Sequence, residues 1–274
     1  MDKNTAEKLR EKAKRVRAGV IEALGLGKPG HLGGSMSAAD LVTVLYYYKM
    51  NIDPTMKNPN RDRFIMSKGH SVLAQYAALA DLGYYPWEEL SRTKTLGGLL
   101  QGHPEIETPG IEANTGSLGQ GLSVGVGMCL AAKKDKAPWR VYVICGDGEL
   151  AEGQIWEAVT AAANYKLDNL RVLVDTNGIC AQGRVCDRYN VGDAETIAAK
   201  FAAFGWNTAI VDGHDVEAVG DALDAADAVK DRPCAVICRT VKGKGVSFAE
   251  DTHAYHNKAM DEETRAKALA EING

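Results

Sequence analysis

Apolar positions recur at helical spacing from the start of the chain. Residues 5 to 24 put Leu9, Val16, Val20, Ile21 and Leu24 on one stripe, which predicts an amphipathic helix with its Lys and Arg residues on a solvated face. The glycine-rich stretch "GLGKPGHLGGS" ends that pattern. "SAAD" then reads as a capping box opening a helix from about Ser37, with Leu41, Val44, Leu45 and Tyr48 on its apolar side. "RFIMSKGH" reads as a short strand or turn feeding the helix "SVLAQYAALADLG". After a long loop, "GSLGQGLSVGVGMCLAAKK" carries small residues at helical spacing, which permits close packing.

The period then alternates between two kinds. "RVYVICGDG", "NLRVLVDTNG" and "CAVICRTVKGKG" contain the continuous apolar runs expected of parallel strands covered on both faces. Between them lie helical patterns, "LAEGQIWEAVTAAANY", a stretch at about 194 to 204 leading into "NTAIVDG", and "DVEAVGDALDAADAV". A further helix, "DEETRAKALAEING", closes the sequence. This alternation predicts α/β architecture, a doubly wound and mainly parallel sheet with helices on both faces. No repeat or composition break divides the chain, so residues 1–274 are expected to form one domain.

Composition narrows the function classes. With 45 % hydrophobic and 25 % charged residues the chain has the make-up of a soluble globular protein. Its net charge of −4 excludes a strong basic footprint for nucleic acid, so any anionic ligand has to be held by local groups. The six cysteines show no CxxC pair, which predicts reduced, buried thiols and a cytoplasmic setting. The charged N-terminus has no signal-peptide core, and no run approaches the roughly 18 apolar residues of a membrane span.

The chemistry starts at "VICGDGELAEGQ", residues 143 to 154, where Asp147 sits between two glycines as a buried strand ends. Ligands of open parallel sheets lie beyond the carboxyl ends of the strands, and Asn177 ends the strand "NLRVLVDTNG" in the same sense. A carboxylate and an amide oxygen, with a backbone carbonyl nearby, suit a hard cation such as Mg²⁺ that leaves coordination sites for phosphate oxygens. Gly146 and Gly148 leave room for a phosphate, and the helix starting near Leu150 offers free N–H groups. Residue types alone leave a plain turn as good a reading as a metal–diphosphate site. His31, His70 and His103 each follow a glycine in a loop, which exposes an imidazole for proton transfer or for hydrogen bonding to a sugar hydroxyl. His214, in "DGHD", is expected to be loop structure. "GLGKPG" satisfies a dinucleotide fingerprint only literally, since it follows a helix and not a strand.

"GDGELAEGQIWEAV…DTNGIC" resembles the thiamine diphosphate motif of a GDG followed about thirty residues later by Asn. "GHLGGSMSAADLVTVLY", "RDRFIMSKGH", "GHPE", "TGSLGQGLSVGVGMCLA" and "THAYHN" resemble the transketolase family in its own order. The resemblance implies that Asp147, the Asn177 side chain and the Ile179 carbonyl bind Mg²⁺ or Ca²⁺. It further implies that Gly148, His70 and His256 contact the diphosphate and that Gly116 lies beside the cofactor. His31, His103 and His256 would face the sugar and the reacting centre. Glu152 and Glu157 would lie near a dimer interface that couples two cofactor sites. In "HAYH" either His253 or His256 could fill the family position, and the alignment favours the second.

The family's pyrimidine-binding and C-terminal domains have no counterpart here. The resemblance therefore implies the N-terminal subunit of a split transketolase, working on sugar phosphates in an α₂β₂ assembly with a C-terminal subunit that carries the pyrimidine domain. Half of a deoxyxylulose-phosphate synthase or of a 2-oxoacid dehydrogenase, or a non-catalytic cofactor-binding module, are the other readings.

Overall fold

In the computed structural model, which describes residues 1–274, five parallel strands lie side by side in the order β1 (Arg63–Met66), β2 (Val141–Gly146), β3 (Leu170–Thr176), β7 (Cys234–Arg239) and β6 (Asn207–Asp212). A two-residue hairpin, β4 (Ile179–Cys180) with β5 (Gly183–Arg184), stands apart beyond the end of β3. The helices are α1 (Lys3–Leu24), α2 (Leu32–Ser37), α3 (Ala39–Val44), α4 (Val72–Asp81), α5 (Gln120–Asp135), α6 (Gly153–Asn164), α7 (Ala194–Ala203), α8 (Val216–Asp227) and α9 (Glu262–Asn273).

The central strands are buried on both faces because their side chains alternate between two cores. Tyr142, Ile144, Leu173, Val236 and Cys238 pack with residues of α1, α2, α3, α4 and α8. Val141, Val143, Cys145, Val172, Val174 and Ile237 pack on the other side with residues of α5, α6 and α7. This is the doubly wound sheet that the continuous apolar runs predict. Asp2, Asp193, Asp215 and Asp261 cap α1, α7, α8 and α9, each accepting hydrogen bonds from backbone N–H groups of the first turn.

Two local expectations are corrected. The helix expected from about Ser37 begins instead at Leu32, with a break at Ala38 before α3. Ser37 does not cap it: its hydroxyl donates to the Gly34 carbonyl and to Asp175 Oδ2, because tertiary partners outcompete the local box. After Asp147 the chain makes one 3-10 turn, Gly148–Ala151, and the α-helix starts at Gly153 and not near Leu150. The cysteine expectation holds for Cys129, Cys145, Cys234 and Cys238; Cys180 is half-buried and Cys186 exposed, and all six are free thiols. No helix is long and apolar enough to cross a membrane.

Candidate active site

Four adjacent strands deliver their following loops to one edge of the sheet. β1 leads to Lys68 and His70, β2 to Asp147, β3 to Asn177 and β7 to Lys242. The glycine-rich loop after α1 adds His31. The segment before α9 folds back over that loop through bridges Leu26–Met260 and Gly30–Lys258, and brings in His256. A cavity of about 330 Å³ opens between them, lined by every residue singled out from the sequence as a metal, cofactor or catalytic position: His31, His70, His103, Gly116, Asp147, Gly148, Glu152, Asn177, Ile179 and His256. Glu157 lies outside it, exposed on α6. His253 is likewise exposed, so His256 is the member of "HAYH" that enters the site.

Asp147 and Asn177 converge because Gly146 pairs with Asp175 in the sheet, leaving the two loops side by side. Asp147 Oδ2 accepts from the Gly178 N–H at 2.6 Å and Oδ1 from the Gly148 N–H at 2.7 Å. Asn177 Oδ1 accepts from the Ile179 N–H at 3.1 Å. Burial, followed by the nearby charge of Asp175, pushes the Asp147 carboxyl up to about 6. The Gly178 and Gly148 N–H donors and the charge of Lys68 offset this only in part. No three His, Cys, Asp or Glu side chains cluster with metal-ligand spacing. A set of one carboxylate, one amide and one carbonyl fits a hard cation whose remaining positions go to water and phosphate oxygens.

Two buried carboxylates fix these loops. Glu149, 2 % exposed, accepts from Ser67 Oγ at 2.6 Å, the Gly119 N–H at 2.8 Å and the Gly146 N–H at 3.0 Å, tying three loops together. Asp175 accepts from Ser37 Oγ at 2.6 Å and from Lys68 Nζ and Thr240 Oγ1. Burial opposes its ionisation, but Lys68 and these donors hold its carboxyl below the usual range. Neither residue stands out in the sequence, where each reads as an ordinary acid at a strand end.

The cavity also holds a cation. Lys242, 2 % exposed, donates from Nζ to the Ile179 carbonyl at 2.7 Å and to His256 Nδ1 at 2.9 Å. Burial, with Lys68 adding to it, lowers its ammonium to about 8. Gly33 and Gly34 are required here: a Cβ would sit 2.8 Å from Lys242 Cγ at the first and 2.6 Å from Ser71 Oγ at the second. The loop carrying Lys242 is anchored by His214, whose Nε2 accepts from the Val241 N–H at 2.8 Å while Nδ1 meets Asp40 Oδ2 at 2.7 Å. His214 is structural, as expected, and its tautomer follows from these two partners.

The four imidazoles form one group. The ring of His31 lies 5.2 Å from that of His70, 5.3 Å from His256 and 6.0 Å from His103. Burial, then the charges of His103, Lys94 and Lys242, lowers His31 to about 4; burial and Lys242 lower His256 to about 3. His70 and His103 are lowered too, by burial first. All four are neutral at pH 7. Lys94 contributes by running close to Gly30, where a Cβ would stand 2.8 Å from its Nζ.

The family profile described as "Transketolase, thiamine diphosphate binding domain" matches residues 9–272. One of the subunits of the apulose-4-phosphate transketolase of Phocaeicola vulgatus is 39 % identical over 268 residues, covering 97 % of this chain and 94 % of that one. The 6-deoxy-6-sulfo-D-fructose transketolase subunit SqwG of a Clostridium species is 40 % identical over 266 residues, covering 96 % of both. The transketolase of Mus musculus is 37 % identical over 275 residues, and there the match spans 43 % of the longer protein. The crystal structure of transketolase from Campylobacter jejuni superposes with a TM-score of 0.87 at 33 % identity, covering 100 % of this chain and 43 % of that one.

Proposed function

The chain belongs to the transketolase family, through its thiamine diphosphate binding domain, and on that premise we propose that it is the diphosphate-binding subunit of a two-chain, Mg²⁺-dependent transketolase. Such an enzyme moves a two-carbon ketol unit from a ketose to an aldose. The observation that carries this reading is the convergence of an Asp–Asn–carbonyl oxygen set and four neutral imidazoles in one cavity. The two bacterial relatives, each named as one subunit and matched along nearly its whole length, support the division into two chains.

In this reading Asp147, Asn177 Oδ1 and the Ile179 carbonyl hold Mg²⁺ or Ca²⁺, and the ion together with Lys242, His70 and the Gly148 backbone receives the diphosphate. Thiamine diphosphate, when bound, supplies the electron sink for carbon–carbon bond cleavage. A Cβ at Gly148 would meet nothing closer than Cys180 Cβ at 3.5 Å, so the backbone there stays open to an approaching phosphate. His31, His103 and His256, being neutral, accept and donate hydrogen bonds to sugar hydroxyls and can take up a proton as charge develops. Gly116 lies against His103, with a Cβ there only 3.3 Å from its Cδ2, so that the loop stays thin beside the cofactor.

The partner supplies the pyrimidine-binding domain, which is where the family keeps the glutamate that activates the cofactor. Glu152 and Glu157, exposed at the start of α6, face that assembly, an α₂β₂ heterotetramer in the cytoplasm that acts on a sugar phosphate or sulfosugar. The direct experiment mixes the purified chain with its partner, cofactor and Mg²⁺ and assays ketol transfer. Activity is expected only in the mixture. An inactive mixture, or full activity of the chain alone, overturns the two-chain reading.

A further inference from the structure

At the opposite end of the sheet, where β2 and β3 begin, lies a second cavity of about 200 Å³. It is about 20 Å from Asp147, the length of a strand of this size. Four basic side chains, Lys133, Arg140, Arg171 and Lys230, line it against two aspartates, Asp168 and Asp227. Both aspartates already have close partners: Asp168 meets Lys133 at 2.8 Å, and Asp227 Oδ2 meets Lys49 at 2.7 Å. In a chain of net charge −4 this is a local excess of positive charge.

The second observation is independent of charge. Six buried side-chain polar atoms in the molecule have no hydrogen-bond partner, and three of them belong to residues lining this cavity: Asn169 Oδ1, Arg171 Nε and Asp227 Oδ1. The last approaches Arg140 Nε only to 3.5 Å and an Arg171 terminal nitrogen to 3.7 Å, ion-pair contacts without a hydrogen bond. A fourth, the Tyr142 hydroxyl, lies outside the lining and is buried among the charges of Asp62, Arg140, Asp227 and Arg171. Arg171 is 1 % exposed and rigidly held, its terminal nitrogens donating to the carbonyls of Asp168 at 2.7 Å and Ala226 at 2.8 Å. Its Nε is left over as a fixed donor. An orphaned buried polar group is costly and rare, and three belong to the lining of this one cavity. Water would bridge the atoms, but it does not answer four lining cations set against two lining aspartates, one of which is shared with Lys49.

We propose that this cavity binds a small hydroxylated oxyanion, of the class of phosphate monoesters and hydroxy acids, at a site separate from the cofactor cleft. The anionic oxygens meet Arg140, Lys230 and Arg171 Nε, and a hydroxyl of the ligand donates to Asn169 Oδ1 or Asp227 Oδ1. No step of the ketol transfer depends on it, so it stands or falls independently of the function proposed above.

The test is calorimetric titration of the full chain with inorganic phosphate, glycerol 1-phosphate, glycerate and neutral glycerol, in the presence of saturating thiamine diphosphate and Mg²⁺. Arg140→Gln/Lys230→Gln removes the two mouth cations without touching Arg171, whose loss endangers the fold. The expected result is one site for glycerol 1-phosphate or glycerate, no binding of glycerol, and at least tenfold weaker binding in the double variant at unchanged melting temperature. Preference between the two anions identifies the headgroup. Binding that persists in the double variant belongs to the catalytic cleft and overturns the proposal, as does the absence of binding at millimolar concentration.

Discussion

Lys242 Nζ donates to the carbonyl oxygen of Ile179 at 2.7 Å, so a buried ammonium rests against one of the three oxygens assigned to a divalent ion. No carboxylate pairs with it directly, and its only other close partner is an imidazole. A buried cation with neutral partners is uncomfortable alone and well suited to an incoming diphosphate.

Lys242→Met is therefore expected to weaken thiamine diphosphate binding by about ten- to a hundredfold, the worth of one hydrogen bond to a charged group. The melting temperature of the cofactor-free chain should stay level or rise, since an ammonium lowered by burial is removed. Calorimetry and thermal denaturation on the same samples check both halves. Undiminished affinity takes Lys242 out of the diphosphate site.

Asp147→Ala should abolish Mg²⁺-dependent cofactor binding while circular dichroism remains that of the parent. The pH dependence follows from the raised carboxyl. With Asp147 at about 6 in the metal-free fold, protons compete with the metal below that value. Mn²⁺ affinity should fall about tenfold per pH unit below about 6 and level off above it. A flat profile between pH 5 and 7 would count against Asp147 as a ligand.

The imidazoles predict a stability effect. His31 and His256 are depressed to about 4 and 3, so the unfolded chain binds protons from its ordinary value of 6.5 downward while the fold does not. Their contribution is complete above pH 6.5 and is lost as pH falls toward 4. His31→Gln/His256→Gln should consequently show a shallower fall of melting temperature between pH 6.5 and 4.5 than the parent chain, measured by differential scanning fluorimetry. Parallel curves would show that burial does not hold these rings neutral.

Glu149→Gln puts an amide where three donors converge, leaving at least one buried group unsatisfied at a cost of about 1–3 kcal/mol. At roughly 2–4 °C per kcal/mol for a protein of this size, melting should drop by several degrees. Because Ser67 and Gly119 lie on separate loops of the cleft and Gly146 ends β2, cofactor affinity should fall with it. Stability lost without any change in affinity would make Glu149 a packing residue only.

Much of this architecture is legible in the chain itself. Strands covered on both faces leave continuous apolar runs, so "RVYVICG" and "RVLVDT" announce a parallel sheet, and a strand-end Asp or Asn is positioned by that topology alone. His31, His70 and His103 are visible because each follows a glycine in a signature loop. Ser37 misleads because a hydroxyl in "SAAD" satisfies the capping pattern equally well whether its partner is a local N–H or the distant Asp175.

What the sequence by itself determined is the sheet, the order of its loops and the residue types brought to its edge, since periodicity and strand-end position are local properties of the chain. Only the tertiary structure decided that His256 and not His253 enters the cleft, that Lys242 rests against Ile179, and that Glu149 and Asp175 bind the loops together. The Lys68–Asp175 contact alone joins residues 107 positions apart. Burial and charge, which set their protonation, exist only once the segments have packed.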